Sequence, residues 1–343
     1  MKITIITGSY PPEVCGVGDY TRSLVQSLRQ AGASVEVFHG TNWSPSSSRE
    51  TTRRLLDIPA DIRHIQYPTR GYGWQLGPQL LALATPMIAT LHEASQAHLL
   101  RQLSLLPFTL RSPRVIFTTE YERAYATRLA PWIAGRSSCI PIGSNVAVME
   151  GVAKPPSRTA TYFGLFRQQK GLEQVLEVAS IFKRRGRGLR VRIVGAPVPG
   201  CEEYYANLRS SAEGLPIDWQ VALPEEELAL ELAKTRVAYL PFPDGASERR
   251  SSLIAMMMNF VAVVTRRGAH TPPSMDGAVV WASSAAEAAE ILERLLNQSQ
   301  EQATLQQRAK AYASRFAWQH IAEQHLQVYS EVMSNGPLKT ANS

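Results

Sequence analysis

The sequence predicts an α/β protein built from two doubly wound domains, and three observations lead there. Its 343 residues exceed a single core, since one domain takes roughly 100 to 200 residues. Short apolar runs alternate with amphipathic segments, the pattern of parallel strands covered by helices. The alternation pauses at GVAKPPSRTA, residues 151–160, whose Pro, Gly and small side chains suit a linker better than an element interior.

In the first half, Ile3–Ile6 reads as a strand, Tyr20–Gln30 as a helix and Val35–His39 as a strand. Further strands are expected at Arg63–Gln66, Met87–Leu91 and Val115–Thr118, and the helix Tyr121–Ala130 leads into a strand at Ser138–Ile142. In the second half, Ala160–Phe163 is a strand and Gly171–Arg184 a helix, with Leu172, Val175, Leu176, Val178, Ala179 and Phe182 at helical spacing. The strand Leu189–Val194, helix Glu203–Gly214, strand Asp218–Ala222, helix Pro224–Lys234 and strand Val237–Leu240 continue the alternation. A helix at Ser251–Met258, a strand at Ala262–Thr265 and two terminal helices, Ser284–Gln298 and Glu301–Met333, complete it. The domains are expected at 1–153 and 157–312, with a frayed tail at 334–343.

Hydrophobic residues make up 44% and charged residues 19%, close to the globular average, which excludes wholesale disorder and a fibrous repeat. The net charge of +7 is spread evenly, with 14 basic against 10 acidic residues over 1–153 and 22 against 19 in the remainder. With no basic arm or block, binding to nucleic acid is not expected, whereas a site for an anionic small molecule or a membrane surface stays open. Cys15, Cys139 and Cys201 are odd in number and far apart, pointing to a reducing compartment and offering no metal spacing. MKITIITGSY reads as a first strand before Pro11-Pro12, not as a secretory signal. The longest apolar stretch, LLALATPMIATL at 80–91, is broken by Pro86 and falls short of the roughly 20 residues of a spanning helix. The expected location is the cytoplasm, with weak contact at the inner face of the membrane.

Two facing doubly wound domains make a cleft, and ligands of open α/β sheets sit beyond the carboxyl ends of the strands. The first loop there, GSYPPEVCGVGDYT, places Gly16, Val17 and Gly18 just before a helix, where bare amides and the helix dipole meet an anion. A dinucleotide fingerprint with Glu36 as its ribose carboxylate fails, because the glycines begin about ten residues late and Thr21 stands at the third. The second loop, FGLFRQQKG, holds Arg167 and Lys170 between Gly164 and Gly171, and a forked cation beside a point cation makes a diphosphate clamp. A solvated basic surface would explain the charges but not the glycines.

The third loop runs from Pro241 through Asp244, Gly245, Ser247, Glu248, Arg249 and Arg250 into Ser251 and Ser252, which open a strongly apolar helix. These two serines either cap that helix or hold a phosphate. His92-Glu93 ends the strand PMIATL and points at the cleft. The other histidines form no metal pair, and no Asp-x-Asp occurs, so no divalent metal clamp is expected.

At this point the chain resembles a family-4 glycosyltransferase of the GT-B type, retaining and metal-independent, with two Rossmann-like domains. YPPEVCGVGDYTRSLVQSLRQAG resembles that family's opening loop and helix, DIRHIQYP its third strand, IATLHE the strand of its active-site histidine and IPIGSNV the segment before its linker. YFGLFRQQKGLEQVLEVA resembles its donor-phosphate loop, RVRIVGAP the strand after it, and ELAKTRVAYLPF the approach to the donor site. FAWQHIAEQHLQVYSEV resembles the terminal helix, about 315–333, that crosses back to the first domain.

The resemblance implies that Arg167 and Lys170 hold the donor diphosphate, that Gly16, Val17, Gly18 and Gly195 line the donor, and that His92 faces the transferred sugar. Tyr20, Gln66, Tyr67 and Glu93 are assigned to the acceptor, along with the stretches 66–77 and 95–114, the latter carrying Arg101, Arg111 and Arg114. One departure concerns two glutamates that the family places eight positions apart; alignment on AMMMNFVAVV puts Ser247 and Ala255 there, with Glu248 one place off. A loop of the DG-x-S-x-R-R kind, here Asp244, Gly245, Ser247, Arg249 and Arg250, takes the place of that pattern. Ser251, Ser252 and the helix amides are then expected to supply the phosphate contacts. The implied partners are a nucleotide-sugar donor and a saccharide or lipid-linked acceptor, with no cofactor or metal. The alternatives are a nucleotide-sugar epimerase, for which only His92-Glu93 offers acid/base groups, and a catalytically weak nucleotide-sugar-binding protein.

Overall fold

Strand β1 (Lys2–Ile6) buries Ile3, Thr4, Ile5 and Ile6 in succession, the near-continuous interior run of a parallel strand covered on both faces. The computed structural model describes residues 1–334 apart from Val14, Thr41, Gln96, Ala97 and Pro156; the tail expected at 334–343 therefore lies, from 335 on, outside the described residues. After β1 come α1 (Gly16–Gln30), β2 (Ser34–Phe38), α2 (Ser48–Leu56), β3 (Ile62–Tyr67), α3 (Gly77–Ala84) and β4 (Ile88–Leu91). Then follow α4 (Leu99–Leu103), α5 (Leu106–Arg111), β5 (Val115–Phe117), α6 (Glu120–Leu129) and β6 (Ser137–Cys139). The six strands are all parallel, in the order β2-β1-β3-β4-β5-β6.

The second sheet begins with β7 (Thr159–Phe163), α7 (Leu172–Arg185), β8 (Arg190–Gly195), α8 (Glu202–Ser211), β9 (Ile217–Val221) and α9 (Glu225–Lys234). It continues with β10 (Val237–Leu240), α10 (Ser251–Met258), β11 (Ala262–Thr265), β12 (Val280–Trp281), α11 (Ala285–Asn297) and α12 (Ser299–Ala313). Its strands are also parallel, in the order β12-β11-β10-β7-β8-β9. α7 shows why these helices form where they do: Leu172, Val175, Leu176, Ala179 and Phe182 recur at helical spacing and go inside. Each large aliphatic side chain so buried contributes about 2 kcal/mol.

The chain divides into unit 1, Met1–Gly143 with Phe316 onward, and unit 2, Ser144–Arg315. This division falls upstream of the linker expected at 151–160. Lys154 shows why: its ammonium donates to the carbonyls of Ala233 (2.8 Å), Asn259 (2.9 Å) and Thr235, the C-terminal ends of α9 and α10, so the segment is already anchored in unit 2. Burial, and then the charge of Arg236, lowers the Lys154 ammonium to about 8.

The single terminal helix expected over Glu301–Met333 is two. α12 ends at Ala313, Phe316 is wholly buried, and α13 (Trp318–Ser334) starts anew where the chain passes from unit 2 to unit 1. α13 packs Ile321, Ala322, Val328 and Tyr329 among Tyr20, Leu24, Val25 and Leu28 of α1. No Gly or Pro marks the break, so periodicity alone ran through it. α1 also begins earlier than expected, which puts Gly16, Val17 and Gly18 inside its first turn instead of before it.

Candidate functional site

In unit 2 the strand order reverses between β7 and β10, so the loops leaving their carboxyl ends diverge there and leave room for a ligand. The loops meet backbone to backbone. Gly171 has φ +78°, and a Cβ on it would overlap the carbonyl oxygen of Pro241. At the end of β8, a Cβ on Gly195 would overlap the carbonyl oxygen of Gly164. Only glycine permits both approaches. The result is a cavity of about 370 Å³ whose wall includes Gly164, Lys170, Gly195, Leu223, Ser251 and Ser252.

Lys170 is half-buried there. Burial, followed by the charges of Arg250 and Arg167, lowers its ammonium from the ordinary lysine range, and only Asp244 pulls the other way. Arg167 itself is exposed and does not line the cavity. Two helices start at this wall. α7 has Gly171 as N-cap and α10 has Arg250, and neither start receives a side-chain cap bond. Ser251 and Ser252 are the first two residues of α10, just inside its N-cap Arg250, and both line the cavity.

The rest of the third loop turns elsewhere. Asp244 pairs with Arg250, whose guanidinium also lies over the Phe242 ring, 5.0 Å from its centroid. Gly245, with φ +94°, lets the loop close against Gly268. Glu248, expected near the sugar, instead accepts from Tyr312 Oη (2.8 Å) and from the Arg315 guanidinium. Ala255 is wholly buried in α10. Asp244, Gly245, Ser247, Glu248 and Arg250 are absent from the cavity wall.

In unit 1, the loop after β1 leads into the first turn of α1 with Cys15 as N-cap. Burial would raise the Cys15 thiol, but amides of Arg70, Gly18 and Val17 and the Ser9 hydroxyl outweigh it and hold the thiol below its ordinary range. Tyr20, one turn on, is buried edge-on against His92 with ring centroids 4.9 Å apart. His92 follows directly on β4, and its Nε2 donates to Gln66 Oε1 (2.9 Å). The Gln66 amide in turn donates to His64 Nε2 (3.3 Å), which also accepts from Thr90 Oγ1 (2.7 Å); His64 Nδ1 therefore carries the proton and donates to Tyr329 Oη (2.7 Å).

Three of the four residues expected at the acceptor are interior. Tyr20 and Gln66 belong to this network, and the Tyr67 hydroxyl accepts from Gln79 Nε2 (2.8 Å). Glu93 alone is partly exposed. Sequence reasoning missed His64 and Tyr329, and also His325, whose Nε2 lies 3.4 Å from the Tyr20 hydroxyl. The one local signal was the strand alternation that sets His64 and Gln66 on the same face. Among the described residues, no three His, Cys, Asp or Glu side chains gather as metal ligands.

The buried imidazoles make unit 1 sensitive to acid. Burial, then the nearby His325 and His92, lowers His64 well below 6.5, and burial lowers His325 to about 4. Unfolded imidazoles take up protons near 6.5. Below that pH the unfolded chain binds more protons than the folded one, and stability falls. The expected slope is at most about 1.4 kcal/mol per pH unit for each histidine, read as a decreasing urea midpoint from pH 6.5 toward 4. An unchanged midpoint over that range would contradict the assignment.

No protein-family model and no curated protein matches this chain. Solved structures do. Alr3699/HepE of Anabaena, in complex with UDP, is 14% identical and superposes with a TM-score of 0.73 over 97% of this chain and 100% of that one. A glycosyltransferase from Rickettsia africae ESF-5 is 12% identical, with a TM-score of 0.72 over 98% of this chain and 99% of its own. Sucrose-phosphate synthase from Thermosynechococcus elongatus is 18% identical, with a TM-score of 0.67 over 98% and 100%. Two parallel six-stranded sheets with interleaved helices, matched over nearly their full length, give this chain the GT-B glycosyltransferase fold.

Proposed function

We propose that the chain is a glycosyltransferase taking its sugar from a nucleoside diphosphate. It passes that sugar, with retention and without a metal, to a saccharide or lipid-linked acceptor of bacterial cell-surface polysaccharide or glycolipid synthesis. The observation that carries this reading is Lys170 on the wall of the unit 2 cavity beside the starts of α7 and α10. Burial first, and then the nearby charges of Arg250 and Arg167, lower its ammonium, and the two helix starts add their amides, so the wall suits an anion. The cavity size falls in the range of small-molecule sites, and Leu223 and Leu228 supply an apolar surface for a base.

As the bond to the sugar breaks, negative charge collects on the departing diphosphate, where Lys170, the Ser251 and Ser252 hydroxyls and the α7 and α10 amides stabilise it. No Asp or Glu lines the cavity among the described residues, so the mechanism invokes no protein nucleophile. The acceptor hydroxyl attacks from the face the diphosphate leaves, and its proton passes to a diphosphate oxygen. His92 is proposed for the sugar, with Gln66 as the group that orients it.

Nucleoside diphosphates test the reading, beginning with UDP, which HepE binds. At a hundred times its Kd, the right one adds about 2.7 kcal/mol of stability, visible as a rise in Tm. Because the diphosphate needs the charged ammonium, affinity is expected to weaken as pH rises through the lowered titration of Lys170, below the 10.5 of an ordinary lysine. A flat thermal response to every nucleoside diphosphate would reject the donor site. An epimer formed without acceptor, or tight binding with no transfer, would replace transfer by one of the two alternatives.

A further inference from the structure

Of the seventeen large apolar side chains left exposed among the described residues, eight fall between Trp74 and Leu110. Their arrangement is ordered. α3 and α5 pack side by side, each keeps one face inside (Leu81 and Ala82; Phe108 and Thr109), and each turns leucines outward, Leu80 and Leu83 from α3 and Leu106 and Leu110 from α5. α4 adds Leu100 and Leu103, and Trp74, in the turn before α3, is 82% exposed. Arg101 of α4 lies over the Trp74 ring, 5.4 Å from its centroid, tying that turn to α4. An apolar face of this extent marks a contact surface.

Charge selects the occupant. Arg101 lies on this face over Trp74, Arg70 opens the turn that precedes Trp74 and Arg111 ends α5, and Glu93 is the only carboxylate between residues 70 and 111. A second copy docked through the same face would set arginine against arginine with no acid to offset them. An anionic bilayer meets both needs: leucine and tryptophan side chains enter the boundary of headgroups and acyl chains, and guanidinium groups pair with phosphates. No helix among the described residues is long and apolar enough to cross a membrane, so the contact lies along the surface. We propose that the face formed by α3, α4, α5 and the Trp74 turn docks on an anionic lipid bilayer. The proposal does not rest on the donor-site reading.

Flotation of the full chain with phosphatidylcholine vesicles, with and without phosphatidylglycerol, tests it. The chain is expected to bind the phosphatidylglycerol vesicles, and more weakly as salt is added. Arg101→Gln and Arg111→Gln are each expected to weaken binding about fivefold, and the double variant Leu80→Gln/Leu83→Gln about tenfold or more. A cooperative thermal transition like that of the parent shows that the double variant is folded, and its response to UDP reports separately on the donor site proposed in unit 2. Absence of binding at low salt overturns the proposal. So does leucine-variant binding as tight as that of the parent, or a dimer in solution that the double variant dissolves, which would make a second copy the occupant.

Discussion

Lys170→Ala is expected to lower transfer from a nucleotide sugar by about a hundredfold or more, and Arg167→Ala by roughly tenfold. The difference follows from their positions. Lys170 is half-buried on the cavity wall, where a charge facing the proposed diphosphate would act in a low dielectric, and removing one such group costs about 10² to 10³ in turnover. Arg167 is exposed, and water screens most of its attraction for a phosphate. Lys170→Arg keeps the charge but changes its reach, and intermediate activity is expected. Steady-state transfer or donor hydrolysis with each purified variant measures this. Unchanged turnover in both alanine variants would remove the clamp from the mechanism.

The second large effect concerns the two ends of α7. Gly171 and Gly186 flank that helix with nearly the same left-handed backbone, φ +78° and +64°. A Cβ on Gly186 meets nothing within 4 Å, whereas one on Gly171 overlaps Pro241 O. Gly186→Ala should therefore cost only the backbone penalty, about 1 to 2 kcal/mol. Gly171→Ala adds a collision between two loops that cannot part without opening the cavity, for about 4 kcal/mol in all. That predicts a fall in Tm of about 10 °C for Gly171→Ala against a few degrees for Gly186→Ala, measured by calorimetry. Equal shifts would mean that the loops do not depend on their close approach. Gly171→Ala should also impair nucleotide binding, since Lys170 is the adjacent residue.

Much of this fold was legible residue by residue. Val237–Leu240 is apolar and buried at every position, and Ser251–Met258 is so from Leu253 to its end, because a strand buried on both faces and the interior part of a helix must be apolar. The glycine-bounded loop at 163–171 was legible for a similar reason, as Gly171 stands where the chain has no room for a side chain and the carbonyl of Gly164 abuts Gly195. α2 was missed because SRETTRRLL buries only Thr51 and Leu55. α3 was missed because GPQLLALA is apolar on nearly every side and shows no period.

The polar side chains divide along another line. The types that gather at the unit 2 cavity, a lysine and two serines beside bare helix starts, are local features, and their chemistry follows from neighbours within a few positions. Which polar groups are already taken is a long-range matter. Glu248 finds Tyr312 and Arg315, His64 finds Tyr329, Gln66 finds His92, and Lys154 finds carbonyls at the ends of two helices. A buried donor or acceptor must be paired at a cost of about 1 to 3 kcal/mol if it is not, but its partner can come from any segment that packing brings near. Periodicity and composition describe what a stretch of chain prefers; which carboxylate is spent on structure and which lysine is left for a ligand emerges only when segments hundreds of residues apart share one interior.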